Sequence, residues 1–184
     1  MTHNDSETSN NKRDIPYRDS KKTIQKVNVN VCCKDPEKKK GNKRNNYDNV
    51  EFRFDERTPA APVPIPPAPA APVPLLEVGF DELNPGDRVW LNGIVSLNNN
   101  NNVFSTVTLT ITRTPVGGAA QTIYTQVFEI DNEGDDDQGQ VPFSHVDTLT
   151  AQIFNARYRV LITVGNPNLT AQGTNTLTAI RFIQ

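Results

Sequence analysis

Val103-Phe104-Ser105-Thr106-Val107-Thr108-Leu109-Thr110-Ile111-Thr112-Arg113 is the stretch on which the fold turns. Val103, Val107, Leu109 and Ile111 fall on one side of an extended chain; Phe104, Thr106, Thr108, Thr110 and Thr112 fall on the other. Successive side chains of a strand point to opposite faces, so period-two alternation rich in β-branched residues predicts a half-buried strand. Val89, Leu91 and Val95 repeat the pattern upstream, and Val160, Ile162 and Val164 repeat it downstream. No window with a helical period is of comparable strength.

Outward from this stretch, strands are expected over 76–80, 88–97, 103–113, 121–131, 141–144, 146–153, 157–165 and 174–183. Turn chemistry separates them. Asn84-Pro85-Gly86-Asp87 and Thr114-Pro115-Val116-Gly117-Gly118 are turns, the five asparagines Asn98 to Asn102 read as a hairpin loop, and Gly165-Asn166-Pro167-Asn168 ends the penultimate strand. These elements predict an all-β chain whose residues 75–184 form a single β-sandwich or jelly roll of seven to eight antiparallel strands.

Residues 59–74 hold eight prolines in sixteen positions. Proline fixes φ and drives its predecessor toward extended geometry, so 58–74 reads as a polyproline II linker. Stretched at about 3.1 Å per residue, it would span roughly 50 Å. Residues 1–57 carry all nine lysines and a net charge of +4, against −6 for the remainder. Their polar composition buries too little apolar surface to offset backbone ordering, and predicts a disordered charged arm. Two short alternating runs interrupt it, Thr23 to Val31 and Val50 to Phe54. The first has the pattern of a strand that pairs with an exposed sheet edge.

No run of about 18 apolar residues exists, so no membrane partner is expected. The polar start at Met1-Thr2-His3-Asn4 predicts a protein made in the cytoplasm without a signal peptide. Enzyme activity is not expected. His145 and Asp147 lie two apart and share a strand face, but the β domain holds no second histidine and no cysteine, too few ligands for zinc. Ser96, Ser105 and Ser144 stand outside any nucleophile-elbow motif. Trp90, Tyr124, Phe128, Phe143, Phe154, Tyr158 and Phe182, one or two per strand, are expected in the core.

Two sites remain. Asp131-Asn132-Glu133-Gly134-Asp135-Asp136-Asp137 offers oxygen ligands around a glycine turn. Asp131, Glu133, Asp135 and Asp137 are thus a possible weak calcium site, the alternative being a solvated acidic loop; no other cofactor is expected. Cys32 and Cys33, adjacent in the arm, are candidates for intermolecular disulfides that anchor the chain. The run Lys38-Lys39-Lys40-Gly41-Asn42-Lys43-Arg44 could meet phosphate, but the arm's ten acids dilute it and nucleic acid is not the favoured partner.

Leu83-Asn84-Pro85-Gly86-Asp87-Arg88-Val89-Trp90-Leu91, the threonine-rich strands and the closing Thr176-Leu177-Thr178-Ala179-Ile180-Arg181-Phe182-Ile183 resemble the jelly-roll coat and exosporium proteins of spore-forming bacteria. Their heads look like those of the tumour-necrosis-factor and complement proteins. The resemblance implies a structural subunit of the spore surface, and the Cys32-Cys33 pair is similar to the cysteine-bearing connectors of spore appendages. Apolar residues on both faces of 157–165 and 174–183 add a physical reason for self-association. A two-layer sandwich buries one face of each sheet, and a second apolar set needs a partner. The expected function is a surface or assembly protein whose β domain forms a homo-oligomer, a trimer by preference, with residues 1–57 binding a coat scaffold protein. A carbohydrate- or ligand-binding module and a capsid-like protein with a nucleic-acid-contacting arm are the alternatives.

Overall fold

The computed structural model describes residues 50–100, 103–131 and 137–184. Among the described residues there are ten strands and no helix: β1 Val50–Arg57, β2 Val63–Ile65, β3 Val73–Leu83, β4 Arg88–Asn99, β5 Ser105–Thr114, β6 Gln121–Ile130, β7 Asp137–Thr148, β8 Ile153–Val164, β9 Leu169–Ala171 and β10 Asn175–Phe182. One sheet runs β7-β4-β10-β1, and beyond the end of β10 the short strands β9 and β2 continue it from β4. The other runs β3-β8-β5-β6. The antiparallel pairings β1·β10, β3·β8, β4·β7 and β5·β6 are nested one inside the next. That nesting is a long hairpin rolled over itself, the jelly roll the alternation predicts.

The core fills the space between the sheets. Val89, Leu91, Val95 and Leu97 from β4 meet Val107, Leu109 and Ile111 from β5, Tyr158, Val160 and Ile162 from β8, and Leu177 and Ala179 from β10; all are fully buried. Phe80 and Tyr158 add an edge-to-face ring pair, with centroids 6.0 Å apart. The turn before β4 folds as its sequence dictates. Gly86 has φ +93°, which glycine adopts without strain, and the Asp87 amide closes on the Asn84 carbonyl at 3.1 Å.

Four expectations need correction. First, the folded domain begins at Val50, not at residue 75. Residues 50–57, assigned to the arm, form β1 along β10 (Val50 opposite Phe182, Arg57 opposite Asn175). Second, 58–74 is not a free spacer. Val63–Ile65 pairs with β9, Ile65 is buried in the core, the Ala68 amide bonds to the Val164 carbonyl at 3.0 Å, and β3 already begins at Val73. A proline-rich run forms no ladder of its own, but one apolar anchor and a short edge pairing hold it on the sandwich. Third, 141–144 and 146–153 are one strand up to Thr148, because His145 pairs with Leu91 without interrupting the ladder. Residues 149–152 form the turn into β8, where Leu149 exchanges backbone bonds with Gly86 and Asp87. Fourth, Asn98 and Asn99 belong to β4, and β4 and β5 lie in different sheets and so are not the two arms of a hairpin. The Asn99 side chain is buried, donating to the carbonyls of Val103 and Ile130.

Candidate functional site

His145 and Asp147 do share the inner face of β7, yet they form no catalytic pair. The His145 ring lies against the Tyr124 ring, with centroids 5.1 Å apart. Asp147 is committed elsewhere, accepting from Arg113 Nη1 at 2.7 Å and from the Tyr158 hydroxyl at 2.8 Å. Burial, then the neighbouring Asp147 carboxylate, push the Tyr158 hydroxyl far above its ordinary titration range and keep it a neutral donor. Ser105 is buried and Ser144 accepts a hydrogen bond from Trp90, so neither is a presented nucleophile. Among the described residues no group of three or more His, Cys, Asp or Glu is placed to hold a metal ion. Of the acidic segment, Glu133 and Asp135 lie outside the described residues, Asp131 is exposed after β6, and Asp137 opens β7. Cys32 and Cys33 also lie outside them.

What the fold does assemble is a face. On the side of the β7-β4-β10-β1 sheet away from the core, the register stacks four rows of four side chains. Thr148, Arg88, Phe182 and Val50 make the first row. Val146, Trp90, Ile180 and Phe52 make the second. Ser144, Asn92, Thr178 and Phe54 follow, then Pro142, Ile94, Thr176 and Glu56. Val146 is 51% exposed, Phe182 43%, Trp90 39% and Ile94 38%. Single exposed apolar residues are ordinary, but a contiguous set marks an interaction surface. Trp90 Nε1 donates to Ser144 Oγ across the strand pair at 2.9 Å, so the indole N–H is satisfied before any partner arrives. A shallow groove lined by Trp90, Asn92, Thr178 and Ile180 lies near the middle. Expecting Trp90, Phe182 and Phe154 in the core is therefore a further correction: Trp90 and Phe182 take outward positions on this sheet and Phe154, opposite Glu82, an outward position on the other, while Phe143 and Tyr158 are buried as expected.

Edge strand β1 joins this sheet through its backbone ladder with β10 and is tied to the other sheet by charged side chains. Its inner positions are Glu51, Arg53, Asp55 and Arg57, where a core strand would carry apolar residues. Arg53 Nε donates to the Gly79 carbonyl at 3.0 Å, and Asp55 Oδ2 accepts the Glu77 amide at 2.8 Å. Two side chains of β1 thereby satisfy the outer edge of β3 in place of a neighbouring strand, one way of closing an edge against unwanted pairing. Glu51 pairs with both Arg53 and Arg181, and Arg181 Nε donates to Asp87 at 2.8 Å. The Arg53 guanidinium also lies over the Phe80 ring, 5.6 Å from its centroid.

No protein-family model matches the chain, and no curated protein matches it. Solved structures do. The VP2 subviral particle of infectious bursal disease virus superposes with a TM-score of 0.50 at 12% identity, covering 73% of this chain and 33% of that one. The Gx strain of the same virus gives 0.48 at 12% identity over 73% and 33%. T=1 particles derived from the virus give 0.48 at 12% over 73% and 36%. The chain spans about a third of the length of these proteins. At such identity the first likeness speaks for the fold alone: a jelly-roll sandwich of a kind found in a viral particle.

Proposed function

We propose that this chain is a structural assembly subunit, whose β domain self-associates and whose N-terminal segment anchors or extends the resulting body. The observation that carries the reading is the apolar outer face around Trp90, Ile94, Val146 and Phe182, on a sheet whose inner face already has its core. A sandwich needs only one apolar face per sheet, so the second is available to another molecule. Likeness of fold to a viral particle protein supports the capsid-like version of the reading, in which Lys38–Arg44 meets nucleic acid. Placement on a spore surface, a coat scaffold partner for residues 1–57 and anchoring through Cys32 and Cys33 rest on the sequence resemblance. A weak calcium site at Asp131, Glu133, Asp135 and Asp137 would be an accessory to assembly, not a centre of chemistry. The trimer remains the proposed order of the head.

The test is sedimentation velocity and electron microscopy on the full chain at tens of micromolar. A defined oligomer or closed particle is expected, and a monomer throughout would overturn the reading. Nucleic acid that co-purifies with the full chain, and is lost on deleting residues 1–49, would select the capsid-like version. A face that binds polysaccharide while the protein stays monomeric would select the binding-module alternative instead.

A further inference from the structure

We infer that the outer face of β7-β4-β10-β1 is a two-fold contact with a second copy of this chain, in which Arg88 of each copy faces Glu56 of the other; this rests on the assembly reading above and names its contact. Among the sixteen outward positions of the four rows, Arg88 and Glu56 are the two charges. They are opposite in sign, both are exposed, and neither is ion-paired among the described residues. Arg88 sits in the first row on β4 and Glu56 in the fourth row on β1. With about 4.8 Å between strands and about 3.4 Å per residue along them, their Cα atoms stand roughly 22 Å apart. That is more than twice the Debye length of about 8 Å at physiological salt, so they do not serve each other within one subunit.

The midpoint between them falls on β10 between Thr178 and Ile180, beside the groove lined by Trp90, Asn92, Thr178 and Ile180. A two-fold axis lying in the plane of contact, through that midpoint and perpendicular to the line joining the charges, exchanges their positions. Each copy then sets its Arg88 opposite its partner's Glu56, twice over. The apolar rows around Trp90 and Ile180 close on their counterparts between the two charged corners. An isologous contact requires a patch complementary to itself, and this arrangement of charges supplies it. Size and composition agree. Four strands by four outward positions cover roughly 500 Å² on each copy, about the 1,000 Å² in total that a specific contact needs. Tryptophan is enriched among the residues that dominate interfaces, and the indole N–H of Trp90 is already satisfied by Ser144. A single two-fold face stops at a pair, so the proposed trimer needs a second, different contact, and this face would join subunits across it.

The experiment uses the full chain in three variants: Arg88→Glu, Glu56→Arg and the two combined. Either single change sets like charges opposite each other at both corners and should raise the dissociation constant about tenfold or more, an effect that shrinks in 1 M salt. The double variant restores opposite signs and should associate like the native chain, which also shows that neither change harms folding. The decisive arm is mixing. An equimolar mixture of the single variants should form a heterodimer, because both of its corner pairs are attractive, while each variant alone remains weak. A mixture no tighter than its components, or single variants that associate like the native chain, overturns the two-fold contact and leaves the assembly reading standing. A native chain that is monomeric at tens of micromolar removes both.

Discussion

The two outer faces of this sandwich arise from strands of the same alternating design and end in opposite chemistries. On the β7-β4-β10-β1 sheet the outward side chains include Trp90, Ile94, Val146, Phe182, Phe52 and Ile180. On the β3-β8-β5-β6 sheet they include Thr106, Thr108, Thr110 and Thr163, with Glu77 bridging Arg157 and Arg159. Apolar residues stand among these hydroxyls and guanidinium groups too, Leu161 opposite Thr110, Val127 opposite Thr108 and Phe154 opposite Glu82, but they are scattered over β6 and β8 and form no row. The inner faces are alike in kind apart from the charged β1, since both sheets supply aliphatic residues to one core. Alternation specifies what lies between the sheets; the outward half of the pattern is left to function. Here one sheet presents mainly hydroxyls and charges outward, and the other presents contiguous apolar rows.

The largest effect expected of this contrast comes from Trp90→Glu. A carboxylate at the middle of the apolar face would have to be desolvated in any contact made there, and the indole area is lost as well. Association of the full chain should weaken at least about 100-fold, as for the loss of an interface hot spot. Thr108→Glu, the matched change on the other face, should leave molar mass unaltered. Equal losses from the two variants would show that the faces do not differ in role. An intermediate effect is expected at the seam. Asp55→Ala leaves the Glu77 amide without its acceptor at the edge of β3 and loosens β1, which carries Phe52 and Phe54 of the apolar face. An unpaired buried amide costs about 1–3 kcal/mol, so the melting temperature should fall by roughly 5–10 °C. Amide exchange at Glu77 should quicken in step. Unchanged exchange would mean that the edge of β3 does not depend on Asp55.

Much of the fold was legible in period two. Val89, Leu91, Val107, Leu109, Ile111, Val160, Ile162 and Val164 all lie where alternation places them, and the turns at 84–87 and 114–118 close with the expected bonds. The alternation of Val50 to Phe54 was legible, but its place in the sandwich was not, because the pattern is inverted. Phe52 and Phe54 face outward while Arg53 and Asp55, 6% and 2% exposed, face in, and charges reach such positions only when each finds a partner from a distant strand. No local signal reveals Gly79 or Glu77 as those partners. β7 was split at His145, yet His145 pairs with Leu91 in an unbroken ladder, and Pro142 fits within the strand because β7 bonds to β4 along one edge and an edge strand tolerates proline. Half of the apolar face was readable in the two-sided pattern of 174–183. Trp90 and Val146 were not, since an outward aromatic cannot be told from a core one until pairing brings it beside Ile180.

The smallest effect concerns the polar face, and its sign follows from Glu77. Burial alone would raise that carboxyl, but hydrogen bonds from Arg159 and Arg157 and their positive charges outweigh it and hold the group below its ordinary value of 4.5. A carboxyl whose folded pKa is depressed contributes stability at pH above its unfolded value. That contribution is lost as the pH falls through the folded value, because protonation then favours the unfolded chain. Arg157 and Arg159 have about half of their side-chain surface in water, which screens the pair, so Glu77→Gln should cost under about 1 kcal/mol at pH 7. The gap in melting temperature between native chain and variant should be a few degrees or less at neutral pH, and should vanish well below pH 4. Salt separates the two faces once more. At 1 M salt the Glu77→Gln gap should shrink, since the Debye length falls to about 3 Å. The effect of Trp90→Glu on association should persist, because loss of apolar contact is not screened. A Glu77→Gln gap that survives both acid and high salt would mean that this residue acts through packing, and that the two faces differ less in their physics than their compositions indicate.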